Sequence, residues 1–133
     1  MTETKSNIFN FPKVKAPTEF IECKNFVQWA NMQPNVGPFL IHIPNEGKRT
    51  KYSGHNLKLV GLKKGVPDYF LAVTTTQFHG LWIEMKRMGL ENRKKCPDQD
   101  NWIKKLNEKG FMASYAYGWE HASQVIKDYL YAK

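Results

Sequence analysis

PDYFLAVT, residues 67 to 74, and FHGLWIEMK, residues 78 to 86, are two apolar runs separated only by Thr75, Thr76 and Gln77. Runs rich in aromatic and β-branched residues read as strands, and a link of three residues is short enough for a hairpin. Side chains on a strand alternate between faces, so Glu84 and Lys86 project from one side while Ile83 and Met85 project from the other. If Thr74 pairs with Phe78 across the link, every directly opposed pair sums to 152, as 68 and 84 do. The spacing therefore predicts Asp68 opposite Glu84, with Cβ atoms about 5 Å apart. Two like charges so placed cost stability unless a cation lies between them. An odd pairing sum would put the two carboxylates on opposite faces.

Outward from this hairpin, residues 17 to 33 predict a helix. Thr18 is its N-cap, Phe20, Cys23, Val27 and Ala30 recur at helical spacing, and Pro34 and Gly37 end it. Residues 38 to 44, PFLIHIP, form a short apolar run between breakers and read as a strand. Residues 45 to 66 read as a long basic connection, and connections of that length in compact domains are usually functional. Beyond the hairpin, Pro97 opens a helix with Ile103 and Leu106 in its buried stripe, and Gly110 closes it. FMASYAY, 111 to 117, reads as a strand, and Ala122, Val125, Ile126, Tyr129 and Leu130 give the clearest amphipathic helix. The expected order is α-β-β-β-α-β-α. Strand, helix and strand across 78 to 117 should join parallel strands, which makes an α/β sheet with helices on its faces.

A chain of 133 residues fits one compact domain. Residues 1 to 16 are polar and read as a peripheral tail, leaving 17 to 133 as a single domain. Cys23 and Cys96 have no C-x-x-C spacing, so neither a disulfide framework nor a cysteine-rich zinc site is indicated. No apolar run approaches the ~18 residues of a membrane span and no secretory signal is evident, so a soluble cytoplasmic protein is expected. The net charge is +8, which favours polyanionic partners. Lys48, Arg49, Lys51, Lys58, Lys63 and Lys64 lie between residues 46 and 68 with no acidic residue among them. Arg87, Arg93, Lys94 and Lys95 follow the second carboxylate with only Glu91 between. An isolated charge run is commonly a solvated face. Here both runs flank the same carboxylates, which favours nucleic acid.

Mg²⁺ is a hard ion that uses one or two protein carboxylates and takes its other oxygens from water and substrate phosphate, so Asp68 and Glu84 form an adequate shell. Lys86, next along that face, could orient the attacking water or stabilise the pentavalent transition state. Taken alone, a Glu-x-Lys is more often an ordinary surface pair; the preceding Pro67-Asp68 and the matching register shift the balance. His42, His55, His79 and His121 show no metal-ligand spacing, and His42 in its apolar strand reads as a satisfied core residue. Trp82 shares the Glu84 face and reads as packing under a helix. Gly61 and Gly65 do not form a phosphate loop, because no Gly-Lys-Ser/Thr follows.

Pro67-Asp68 with Glu84-Met85-Lys86, the N-E-G-K-R segment from 45 to 49, the G-V-P-D segment from 65 to 68, Glu19 and Gln99 together resemble the VRR-NUC branch of the PD-(D/E)xK nuclease superfamily. The resemblance spans residues 17 to 130 and implies a restriction-endonuclease-like mixed sheet flanked by helices. It further implies a DNA endonuclease in which Asp68 and Glu84 bind Mg²⁺ or Mn²⁺, the Met85 backbone carbonyl completes the shell and Lys86 serves catalysis. Glu19 is implied as a further ligand. It shares a helical face with Cys23, Phe26 and Ala30, with Glu22 as a competitor and a simple dipole-stabilised N-terminal Glu as the plainer explanation. Gln99 shares a face with Ile103 and Leu106, which aims its amide at the sheet. Lys48, Arg49, Lys51, Lys58, Lys63, Lys64 and Arg87 are the expected DNA contacts. Small members of this branch resemble homodimeric Holliday junction resolvases carried by phages and prophages. Branched DNA and a bacterial cytoplasm follow as expectations, with a nonspecific or flap-type nickase, or an inactive DNA-binding module, as alternatives.

Overall fold

A computed structural model describes residues 15–44, 51–92 and 96–131, and within 51–54 the backbone only. Most of the expected tail, Lys48, Arg49, the side chain of Lys51, and residues 93 to 95 lie outside the described residues. The elements are α1 (Glu19–Asn31), a 3-10 turn (Gly37–Phe39), β1 (Leu40–His42), α2 (Lys51–Leu59), β2 (Tyr69–Leu71), β3 (Leu81–Lys86), α3 (Pro97–Glu108), β4 (Met112–Tyr117) and α4 (Trp119–Tyr131). The sheet runs β1-β2-β3-β4, antiparallel through β3, with β4 parallel to β3. This is the expected mixed α/β sheet flanked by helices.

The hairpin register is the one the spacing predicts. Tyr69 opposes Ile83, Phe70 opposes Trp82 and Leu71 opposes Leu81, so the pairing sum is even and equals 152. The strands are shorter than the apolar runs. The link is closed by the Thr75 N–H donating to Phe78 O (2.9 Å) and by Thr75 Oγ1 accepting from the Phe78 N–H (3.0 Å).

Two expectations need correction. Residues 45 to 66 are not a plain connection, because Lys51–Leu59 is helical and the order becomes α-β-α-β-β-α-β-α. That helix has few apolar residues and an internal Gly54, so its periodic signal is weak; its end is held by backbone bonds around Gly61. The buried stripe of α1 is also rotated from the expected one. Thr18 does cap the helix, its Oγ1 accepting from the Ile21 N–H (3.2 Å), but Phe20 is 73% exposed and the buried residues are Glu22, Phe26 and Ala30.

One face of the sheet carries Leu71, Leu81, Ile83, Met85 and Ala116, which pack with Phe26 and Ala30 of α1 and Ala122, Ile126 and Tyr129 of α4. Burying a large apolar side chain of this kind contributes about 1.5–3 kcal/mol, so this layer fixes the sheet against both helices. On the other face Phe70, Trp82 and Phe111 cluster, with 4.5 Å between the Phe70 and Trp82 ring centroids. Trp82 therefore packs, as expected of it, but its ring partners are Phe70 and Phe111 and not residues of a helix. Asn107 ties α3 to β4, donating through Nδ2 to Ala113 O (3.1 Å) and accepting at Oδ1 from the Ala113 N–H (3.0 Å). No helix among the described residues is long and apolar enough to cross a membrane.

Candidate active site

The even register places Asp68 just before β2, opposite Glu84 near the end of β3. Asp68 Oδ2 accepts the Met85 N–H (2.9 Å), so a main-chain donor of the neighbouring strand orients this carboxylate. Glu19 reaches the same place from the first turn of α1. One carboxylate oxygen from each of Glu19, Asp68 and Glu84 lies within 4.8 Å of the others. Asp68 and Glu84 are buried, and Glu19 is exposed, so the cluster opens to solvent on the Glu19 side.

Burial, and then the neighbouring Asp68 charge, push the Glu84 carboxyl up to about 9, while Lys86 pulls the other way. Glu19 is raised too, by its partial burial and by Asp68, against the opposing pull of Lys86. Glu84 Oε1 is buried and has no hydrogen-bond partner among the described residues. An all-oxygen set with a mutual electrostatic conflict and an unsatisfied buried acceptor fits a hard divalent cation. The donors present therefore suit the metal that the resemblance implies.

Lys86 stands two residues after Glu84 on the same strand, with Nζ 6.0 Å from the Tyr115 ring centroid. The Tyr115 hydroxyl donates to Asp100 in the first turn of α3. Gln99, in the same turn, is half-buried, and its Oε1 is buried without a partner among the described residues. Gly65 explains how that turn is set against the metal-side strand. It holds φ at +86°, and a Cβ there would meet the Asp98 Cβ at 2.7 Å. Beside it the Trp102 indole donates to Lys64 O (3.0 Å), so α3 grips the chain just ahead of Pro67 and Asp68.

The basic residues divide. Lys58, Lys63 and Lys64 are exposed, and Lys64 also meets Asp98 at 3.6 Å. Arg87 is half-buried and donates from Nη2 to Ala16 O (3.3 Å), which ties down the segment leading into α1. His42 is exposed, not a core residue as expected, because β1 is the sheet edge; its Nδ1 lies 3.1 Å from Asp68 O.

Glu22 is the residue that sequence reasoning undervalued. It is 1% exposed, and its Oε1 accepts the Trp119 N–H at the N-terminus of α4 (3.3 Å). A carboxylate there offsets the positive end of the helix dipole. The usable signal was the spacing of Glu22, Phe26 and Ala30 at i, i+4 and i+8, a stripe displaced by one residue from Cys23 and Val27. With Glu22 engaged by α4, Glu19 is the acidic residue of α1 that joins Asp68 and Glu84.

A mixed sheet that brings an Asp, a Glu-x-Lys and a helical Glu to one end belongs to the restriction-endonuclease-like class. A solved structure described as a "VRR_NUC domain protein" is similar over 88% of this chain and 91% of that chain, with a TM-score of 0.75 and 27% sequence identity. No family model matches the sequence, and no curated protein does. The chain folds as a domain of the VRR-NUC nuclease type.

Proposed function

We propose that the chain is a divalent-metal-dependent endonuclease that hydrolyses DNA phosphodiester bonds. The convergence of the Glu19, Asp68 and Glu84 oxygens within 4.8 Å, with Glu84 on the strand that also carries Lys86, supports this reading. Glu19, Asp68 and Glu84 would hold Mg²⁺ or Mn²⁺, with the Met85 backbone carbonyl completing the set. The bound ion would lower the pKa of its water and neutralise charge on the phosphoryl oxygens. Glu84 must give up the proton that burial and Asp68 favour before it can serve as a ligand. Asp68 is held ready by the Met85 N–H. The Lys86 ammonium, on the Glu84 face, offsets charge on the scissile phosphate and orients the attacking water. The half-buried Gln99 would position the phosphate from the α3 side by donating from its Nε2. Lys58, Lys63 and Lys64, with Lys48, Arg49 and Lys51 in the same stretch, would neutralise substrate phosphates, and Arg87 would act by securing the approach to α1.

The substrate reading extends to branched DNA, cut symmetrically by a homodimer in the manner of a Holliday junction resolvase acting in a bacterial cell or from a phage or prophage. Two nicks across a junction need two active sites, which two-fold symmetry supplies. The test is to incubate the protein with labelled four-way junction, flap and linear duplex in Mg²⁺, Mn²⁺ or EDTA, beside Asp68→Ala and Lys86→Ala variants. Metal-dependent cutting lost in both variants is expected. Binding without cleavage of any substrate would sink the enzyme reading, and equal cutting of junction and linear duplex would sink the resolvase reading alone.

A further inference from the structure

The end of α2 carries a feature that phosphodiester hydrolysis does not use. The Leu62 N–H donates to Leu57 O (2.9 Å), the Gly61 N–H donates to Lys58 O (3.1 Å), and Gly61 holds φ at +107°. These bonds form a Schellman cap, in which Leu57 and Leu62, both half-buried, occupy the two positions of the usual apolar clasp. Leu59 and Val60 lie outside that clasp, 72% and 81% exposed. Lys58 precedes them and Lys63 and Lys64 follow, all exposed. Two aliphatic side chains held in water on a hydrogen-bonded turn, among lysines, suit a partner that is polyanionic outside and apolar within. A DNA duplex has that construction, with phosphates around stacked bases. The turn also leads directly into the candidate active site in sequence, through Lys64 and Gly65, which α3 grips just ahead of Asp68.

We propose that Leu59 and Val60 are a wedge that inserts against the base stack and opens one base step beside the scissile phosphate. The proposal rests on the reading of DNA as substrate. Apolar side chains that unstack a base step are a known means of bending or opening DNA, and the unstacking costs least where pairing is already interrupted. The wedge would thus favour branch points over continuous duplex, with the lysines holding the flanking backbone.

The test uses the full chain with Ca²⁺ in place of Mg²⁺, and four-way junctions and linear duplexes carrying 2-aminopurine at successive steps. Anisotropy reports binding, and 2-aminopurine fluorescence reports unstacking. Wild-type protein should raise the fluorescence several-fold at one step next to the branch. The Leu59→Ser/Val60→Ser variant should bind about tenfold more weakly, because unstacking offsets most of the gain from burying the two side chains. It should show the same salt dependence and no fluorescence rise. Lys58→Ala/Lys63→Ala should reduce the salt dependence and keep the rise. Binding by wild type without a rise at any step would overturn the wedge, as would an undiminished rise in the Leu59→Ser/Val60→Ser variant. A variant that only changes the assembly state in sedimentation would overturn it in favour of a contact between copies. Unstacking without Mg²⁺-dependent cleavage of any DNA would leave the wedge standing and remove the nuclease reading.

Discussion

Replacing Glu84 by Gln should stabilise the metal-free protein while ending metal-dependent cleavage. Glu84 is 2% exposed, and burial with the Asp68 charge lifts its carboxyl from an ordinary 4.5 to about 9. A carboxyl raised on folding favours the native state below the unfolded pKa, and that contribution is lost as pH rises from 4.5 towards 9. At pH 7 the native protein must keep a proton that the unfolded chain has released. The gap from the ordinary value to pH 7 is roughly two and a half pH units at about 1.4 kcal/mol each, or about 3–4 kcal/mol. Gln has nearly the same shape, does not titrate, and can offer its amide to Asp68. In EDTA the variant should exceed wild type by about 3–4 kcal/mol at pH 7, and the difference should shrink to nothing near pH 4. Urea unfolding followed by circular dichroism from pH 4 to 8.5 measures this directly. Parallel stability curves for the two proteins, or a variant less stable than wild type at pH 7, would refute the electrostatic account of the site.

Three further outcomes follow from the same geometry. Mn²⁺ binding should release close to one proton at pH 7 and strengthen up to about tenfold per pH unit below about 9; calorimetry in buffers of different ionisation enthalpy counts the protons, and none released would contradict a protonated Glu84. Gly65→Ala combines a φ of +86° with a Cβ 2.8 Å from the Asp98 carbonyl carbon, so a loss of about 2–4 kcal/mol in urea unfolding is expected, and a loss below about 1 kcal/mol would show that the turn can shift. Glu22→Gln keeps an acceptor for the Trp119 N–H and should cost about 1 kcal/mol, whereas Glu22→Ala should cost about 2–4 kcal/mol; equal losses would rule out that acceptor role.

The helix at Lys51–Leu59 was hidden because its residues show no apolar stripe, and its closure depends on Gly61 and Leu62 beyond its end. The bond from Arg87 to the Ala16 carbonyl was likewise not legible in the sequence, because the two residues are 71 positions apart.

Strand alternation and a short link are local, so residues 68 to 86 by themselves put Glu84 and Lys86 on one face and Asp68 opposite Glu84. The helical carboxylate is a different matter. Glu19 and Glu22 are three residues apart, about 60° around a helix, and local spacing lets either face inward. Only the packing of α4 against α1 decided between them. It takes Glu22 for the Trp119 N–H and leaves Glu19 to meet Asp68 and Glu84, because a helix chooses its buried face by the neighbours it must satisfy and not by its own period.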